Sequence, residues 1–164
     1  MQEKKDMYRP RVMVDMAVTL IHHGHIRCLK QAAEFGDVIV ALTTDEEVLK
    51  TKGYLPELNF EQRKEIIESI RYVKEVVPAP WLVDEDFLKL HECDYLAHPD
   101  STTVFIPQEK LLVIPRTEGI SSSKLRENVL NSLIGMNVNE KNPVSSEKMA
   151  LFFINLIKKE FRME

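Results

Sequence analysis

The chain has 164 residues, 44% of them hydrophobic and 29% charged, with a formal net charge of −4. That length supports one domain with a core that needs no disulfide or metal staple, and leaves room for a terminal appendage. The negative balance excludes binding to nucleic acid by bulk charge, so an anionic ligand must meet a local basic cluster.

The opening "MQEKKDMYRPR" reads as a short charged lead-in without an apolar leader segment. "RVMVDMAV" (11–18) is short, apolar and bounded, which suits a buried strand. "HGHIRCLKQAAEF" (23–35) puts Ile26, Leu29, Ala32 and Ala33 on one helical face, and Gly36 stops it. "DVIVALTT" (37–44) is a continuous apolar run, the mark of a strand buried on both faces. "DEEVLKTKG" (45–53) begins acidic and ends basic, as a short helix prefers. "NFEQRKEIIESIRYV" (59–73) is a stronger helix, capped by Asn59 with Gln62 three residues on, and Phe60, Ile66, Ile67 and Ile70 form its apolar side. A strand at "VKEVVPAP", a helix at "DEDFLKLHEC", strands at "DYLAH" and "KLLVIPR", and a serine-capped helix at "SSSKLRENVLNSLI" follow. A polar connection, "GMNVNEKNPVSSEK", leads to a last amphipathic pattern, "EKMALFFINLIKKEF". The expected division is therefore a main domain at 8–132, followed by this connection and helix at 133–164. No apolar run approaches membrane-spanning length, and the two separated cysteines, Cys28 and Cys93, read as reduced thiols of a cytoplasmic protein.

Strands alternating with helices predict an α/β fold with a central parallel sheet flanked by helices. In such folds ligands bind where strands end and helices begin. Two clusters fall on that rim. In the first, His22, His23 and His25 surround Gly24, directly after the first strand. Gly24 lets the backbone approach a ligand, and His22 and His25 project to one side of a helix start. Free amides at that helix end and two imidazole donors suit a phosphate. A zinc site would need a further ligand, with His23 turned away and Cys28 a turn further on; capping and core histidines with no ligand are the plain alternative. The second cluster is "RTEGISSSKLR", where Arg116 follows a strand, Gly119 allows a tight turn, and Ser121 and Ser122 head a helix. Hydroxyls and amides there hold phosphate oxygens, although a serine cap alone would look the same.

H-x-G-H after the first strand, R-T-E-G-I-S-S-S near the end of the core, and "EQRKEIIESIRYVKEVVP" between them resemble the cytidylyltransferase branch of the nucleotidyltransferase superfamily, over about residues 11–126. The chain is most similar to glycerol-3-phosphate cytidylyltransferase and the choline- and ethanolamine-phosphate enzymes. The resemblance implies a Rossmann-like fold. It also implies attack by a phosphate monoester on the α-phosphorus of CTP, with release of pyrophosphate. It places His22 and His25 on the α-phosphate and leaving-group oxygens, and Lys52, with Lys50 as competitor, on the phosphates. Arg116, Thr117, Gly119, Ile120, Ser121, Ser122 and Gly24 would bind the nucleotide, and Arg63 and Arg71, eight apart on one predicted helix, the phosphate substrate. Magnesium would be held by the nucleotide, with no protein metal site, and a homodimer is implied, with no nucleic-acid partner and no membrane span. Glycerol 3-phosphate is the first acceptor to consider, followed by ethanolamine or choline phosphate.

The sequence departs from the family in two places. Met16 and Thr19 stand where the family carries glycine and aspartate, and His98-Pro99-Asp100-Ser101 stands where G-D-D-W is usual; Trp81 lies elsewhere. His98 at a strand end could contact a ligand, and Asp100 could match one of the missing aspartates. These departures leave two alternatives: an adenylyltransferase of the same superfamily, or a nucleotide-binding relative without turnover.

Overall fold

The computed structural model describes residues 8–99 and 105–133. Asp100 and the amphipathic pattern at 147–161 lie outside the described residues. The chain divides into two compact units between Ile120 and Ser121. The first contains β1 (Arg11–Met16), α1 (His23–Phe35), β2 (Asp37–Thr43), α2 (Asp45–Lys52), α3 (Phe60–Glu68), β3 (Val73–Ala79), α4 (Glu85–Leu90), β4 (Tyr95–His98) and β5 (Leu111–Val113). The described part of the second is one helix, α5 (Ser122–Leu133).

The five strands form one sheet in the order β3-β2-β1-β4-β5, and every neighbouring pair is parallel. This is the expected parallel sheet. The chain builds outward from β1 through β2 to β3, then returns to add β4 on the other side of β1. The reversal opens a crevice beyond the carboxyl ends of β1 and β4, where α/β sheets receive ligands.

Alternation along β1 divides the core. Val12 and Val14 face a cluster with Val38, Val40, Leu42, Leu29, Ala32 and Ile67, which seats α1 and α3. Met13 faces Ile39, Ala41, Val77, Leu96, Val83 and Leu88, which seats α4. From Val38 to Thr43, β2 is buried throughout, as its unbroken apolar run predicts for a strand covered on both faces. Cys93 is buried, Cys28 is half-buried, and both are free thiols. Burial pushes each up to about 11, so both stay protonated.

Helix ends follow the sequence closely. Thr44 caps α2, whose first turn is acidic and last turn basic. Asn59 and Gln62 cap α3 reciprocally, each side chain accepting from the other's backbone N–H at 3.0 Å. The end of α3 differs from expectation. It stops at Glu68, with Ser69 as C-cap, and two tight turns (Ile70 N–H to Ile67 O and Val73 N–H to Ile70 O) redirect the chain into β3. Arg71 is therefore not on the helix that carries Arg63. β1 and β5 are also shorter than their apolar runs, because Val18 and Ile114 are buried outside the ladder.

Gly36 ends α1 for a reason that its place in the pattern did not show. Its φ of −179° is ordinary extended backbone, so no left-handed turn requires glycine. The carbonyl of Pro10, which accepts from Asp37 N–H at 2.7 Å, passes directly over it. A Cβ at Gly36 would lie 2.0 Å from that oxygen. Gly36→Ala must therefore push apart the entries of β1 and β2. It should lose about 1–3 kcal/mol in urea unfolding, the usual cost of overpacking, and a loss of under about 0.5 kcal/mol would contradict this account.

Candidate active site

His22 and His25 form a reciprocal helix cap. His22 is the N-cap of α1, and its Nδ1 accepts from Gly24 N–H at 3.1 Å. His25 reaches back, and its Nδ1 accepts from His22 N–H at 3.2 Å. The rings stack with centroids 3.8 Å apart. This is a capping box built from imidazoles. It corrects one expectation: the amides of His22 and Gly24 are engaged inside the cap and are not free for an anion. What remains is more specific. A ring nitrogen that accepts an N–H bond carries no proton, so each neutral ring is protonated on Nε2. Two Nε2–H donors are thereby fixed side by side.

Burial favours the same neutral form. It lowers His25 to about 4, helped by the neighbouring His22 and by the charge of Lys52. Burial, then His23, also lowers His22. His23 itself is exposed, as expected of the variable position. Gly24 matters first to the cap: a Cβ there would lie 2.9 Å from Cε1 and Nδ1 of His22 and 3.3 Å from Ile120.

That last contact joins the two motifs. Ile120 ends the R-T-E-G-I stretch, whose Gly119 turns with φ +75°, and its side chain sits against Gly24. Arg116 is exposed and Thr117 half-buried on this approach. Ser121 and Ser122 belong to the second unit, where Ser121 Oγ accepts from Lys124 N–H at 3.0 Å and caps α5.

Lys52 is the last residue of α2 rather than a loop residue. Its charge reaches His25, and its Nζ stands 5.4 Å from the centroid of Trp81. The backbone N–H of Trp81 donates in turn to a carboxylate oxygen of Glu47, at 3.1 Å. Lys50 is exposed and pairs with Glu47 at 3.7 Å. Of the two lysines, the geometry brings Lys52 to the histidines.

The two arginines are separated. Arg63 is 1% exposed and spends four hydrogen bonds on the protein, to the carbonyls of Leu58, Ala17 and Thr43 and the carboxylate of Asp45. Arg71 is exposed, donates to Tyr72 Oη at 2.7 Å and lies two residues before β3. That is the amino rim of the sheet, opposite the histidines, beside a cavity of about 400 Å³ whose lining includes Arg9, Lys30 and Lys74. The shared helix face expected for Arg63 and Arg71 does not exist, because α3 ends between them.

Of the two substituted positions, Thr19 is buried and Met16 is half-buried. Met16 packs against the α1/α3 cluster. Thr19 is 1% exposed, and its Oγ1 has no hydrogen-bond partner among the described residues. Between them Val18 takes φ +44°, a left-handed conformation that costs a β-branched residue about 1–3 kcal/mol. Across the crevice, His98 Nδ1 sits 2.9 Å and 3.1 Å from the two carboxylate oxygens of Asp15. This pair joins the carboxyl ends of β1 and β4. The sequence marks His98 at a strand end and gives no sign of its partner; adjacency of β1 and β4 is the missing information.

A family model described as cytidylyltransferase-like matches residues 19–128. The ethanolamine-phosphate cytidylyltransferase of Dictyostelium discoideum is 34% identical over 127 residues, covering 70% of this chain and 35% of that protein. The glycerol-3-phosphate cytidylyltransferase of Staphylococcus aureus is 38% identical over 125 residues, covering 71% of this chain and 92% of that protein. The chain thus spans about a third of the length of the ethanolamine-phosphate relatives it matches. Among solved structures, the lipopolysaccharide core biosynthesis protein from Thermoplasma volcanium GSS1 shares the fold, with a TM-score of 0.57 at 17% identity, covering 68% of this chain and all of that one.

The neutral His25 ring gives a pH test. Its folded pKa of about 4 lies below the ordinary 6.5, so between these values the unfolded chain binds more protons. His25 should therefore cost stability as pH falls from about 6.5 to about 4, and His25→Gln should flatten that part of the urea-derived stability curve. An unchanged slope would refute the buried neutral ring. Thr19 gives a second test. Thr19→Val removes a buried hydroxyl without a hydrogen-bond partner among the described residues and should leave unfolding free energy within about 1 kcal/mol or raise it, whereas Thr19→Asp should lower it by at least about 1–3 kcal/mol.

Proposed function

The chain belongs to the cytidylyltransferase-like family, and from that premise we propose that it transfers CMP from CTP to a small phosphorylated alcohol. An oxygen of the acceptor phosphate attacks the α-phosphorus, the bond to the β-phosphate oxygen breaks, and pyrophosphate leaves. The observation that carries the reading is the reciprocal histidine cap, which leaves two Nε2–H donors side by side at the carboxyl end of the central strand. Neutral donors on the α-phosphate and leaving oxygen stabilise growing negative charge and need no proton transfer.

Lys52 adds a cation on the same rim, and Arg116, Thr117, Gly119 and Ile120 hold the nucleotide. Magnesium enters with CTP, held by its phosphates, where it neutralises charge on the leaving pyrophosphate. Residues 8–132 make up the catalytic domain, and the enzyme works in the cytoplasm as a homodimer. Arg71 has no part in phosphate binding in this reading, since it lies on the other rim. Among the acceptors in the relatives' names, glycerol 3-phosphate comes first, because the chain matches nearly the full length of that relative, and ethanolamine or choline phosphate follows.

Pyrophosphate release should be measured with magnesium, each of the four ribonucleoside triphosphates, and ethanolamine, choline or glycerol phosphate as acceptor. The expected result is turnover with CTP and one of these phosphate monoesters, reduced by at least about 100-fold in His25→Ala. Turnover with ATP alone would make the protein an adenylyltransferase. CTP binding without release from any acceptor would make it a binding protein.

A further inference from the structure

Arg63 carries a positive charge that is sealed from water. Nε donates to Leu58 O at 3.2 Å, Nη1 to Ala17 O at 2.5 Å, and Nη2 to Thr43 O at 2.9 Å and Asp45 Oδ1 at 2.6 Å. The acceptors come from four different places on one rim. Ala17 lies one residue past β1, Thr43 ends β2, Asp45 opens α2, and Leu58 precedes α3. Asp45 extends the cluster, because its Oδ2 accepts from Phe60 N–H at 2.9 Å. Of five guanidinium N–H groups, these bonds leave a single one.

Ala17 is the informative partner. It stands immediately before Val18, whose φ of +44° persists only where surrounding contacts over-determine it. From there Thr19 is buried, and the chain reaches His22, whose backbone N–H enters the cap. The hydrogen bond from Arg63 to the Ala17 carbonyl fixes the first turn of this connection. A guanidinium committed in this way has almost nothing left for a substrate phosphate.

We infer that Arg63 is a positioning residue for nucleotidyl transfer, holding the β1–α1 connection so that His22 and His25 keep their paired geometry, and is not a ligand of the acceptor phosphate. The inference rests on the proposed nucleotidyl transfer for its kinetic consequences, but its structural consequence can be read without turnover. Lysine at this position keeps the charge and loses the fork, so Ala17, Thr43 and Leu58 can no longer be held together.

The test combines steady-state kinetics with histidine-ring NMR on the wild type, Arg63→Lys and Asp45→Asn. Arg63→Lys should lower kcat by about 100-fold, the scale of a small misplacement of reacting groups, while the KM for the acceptor stays within about threefold. Asp45→Asn, which removes the countercharge and leaves Arg63 in place, should lower kcat in the same direction by less. In the wild type both rings should show a single tautomer protonated on Nε2, and in the two variants that lock should loosen into mixed tautomers. A rise of about tenfold or more in acceptor KM with kcat retained in Arg63→Lys would overturn the inference, since that is what loss of a phosphate ligand produces. So would a lower acceptor KM in Asp45→Asn, which would mean that a freed Arg63 binds substrate, or unchanged ring tautomers in both variants. Should wild-type protein release no pyrophosphate with any nucleotide, the functional proposal fails while the tautomer measurement still decides the role of Arg63. Should Arg63→Lys not fold, Asp45→Asn carries the same comparison.

Discussion

The buried guanidinium of Arg63 is the constraint on which the carboxyl rim depends. Parallel strands leave this rim one after another, and each must turn into a helix within a few residues. The turns expose carbonyl groups that the sheet no longer satisfies, and three of those carbonyls converge on one cation. A buried charge with all its acceptors present is tolerable, whereas removing one partner typically costs about 3–5 kcal/mol. The arrangement is thus all-or-none. The end of β1, the end of β2, the start of α2 and the approach to α3 hold one relative position or the cation is stranded.

On that frame the histidines solve two problems at once. A helix start leaves backbone N–H groups without partners, which serine, threonine or asparagine usually satisfy. Asn59 and Thr44 do so for α3 and α2. At α1 the imidazoles take the role, and an imidazole has a second nitrogen that a hydroxyl lacks. Capping through Nδ1 fixes the tautomer, fixes the ring plane and leaves Nε2–H as donor. The burial that keeps His25 neutral also keeps water from competing for that donor. Gly24 follows from the same geometry: it makes room for the curled ring of His22 before it makes room for any ligand.

The layers of the fold were legible because hydrophobic period and end signals agreed along the first unit. The unbroken run of β2, the alternation of β1 and the Asn59–Gln62 pair each pointed to the element that formed. Boundaries failed where tertiary contacts outvoted local pattern. The apolar period of α3 continues through Ile70, but the chain must turn there to enter β3, which takes Arg71 off the helix and onto the amino rim. Arg63 lies four residues before Ile67, on the buried face of α3, so the period that buries Ile67 also signals a buried arginine. The Asp15–His98 pair needed strand order, which one sequence does not state.

The two substituted positions weigh on function through their burial. A glycine-to-methionine change at the mouth of a nucleotide site reads as an obstruction only if the side chain points at the ligand. Met16 instead lies against the α1/α3 core, in register with Leu42 of β2. Thr19 is likewise turned inside, 1% exposed, and its Oγ1 has no hydrogen-bond partner among the described residues. Both changes therefore act on how the β1–α1 connection packs. The donors at its far end, His22 and His25, are intact and paired. An asparagine would close the helix with a smaller, ring-free side chain. Two stacked imidazoles do more than capping requires, because each keeps an Nε2–H donor that the cap does not use.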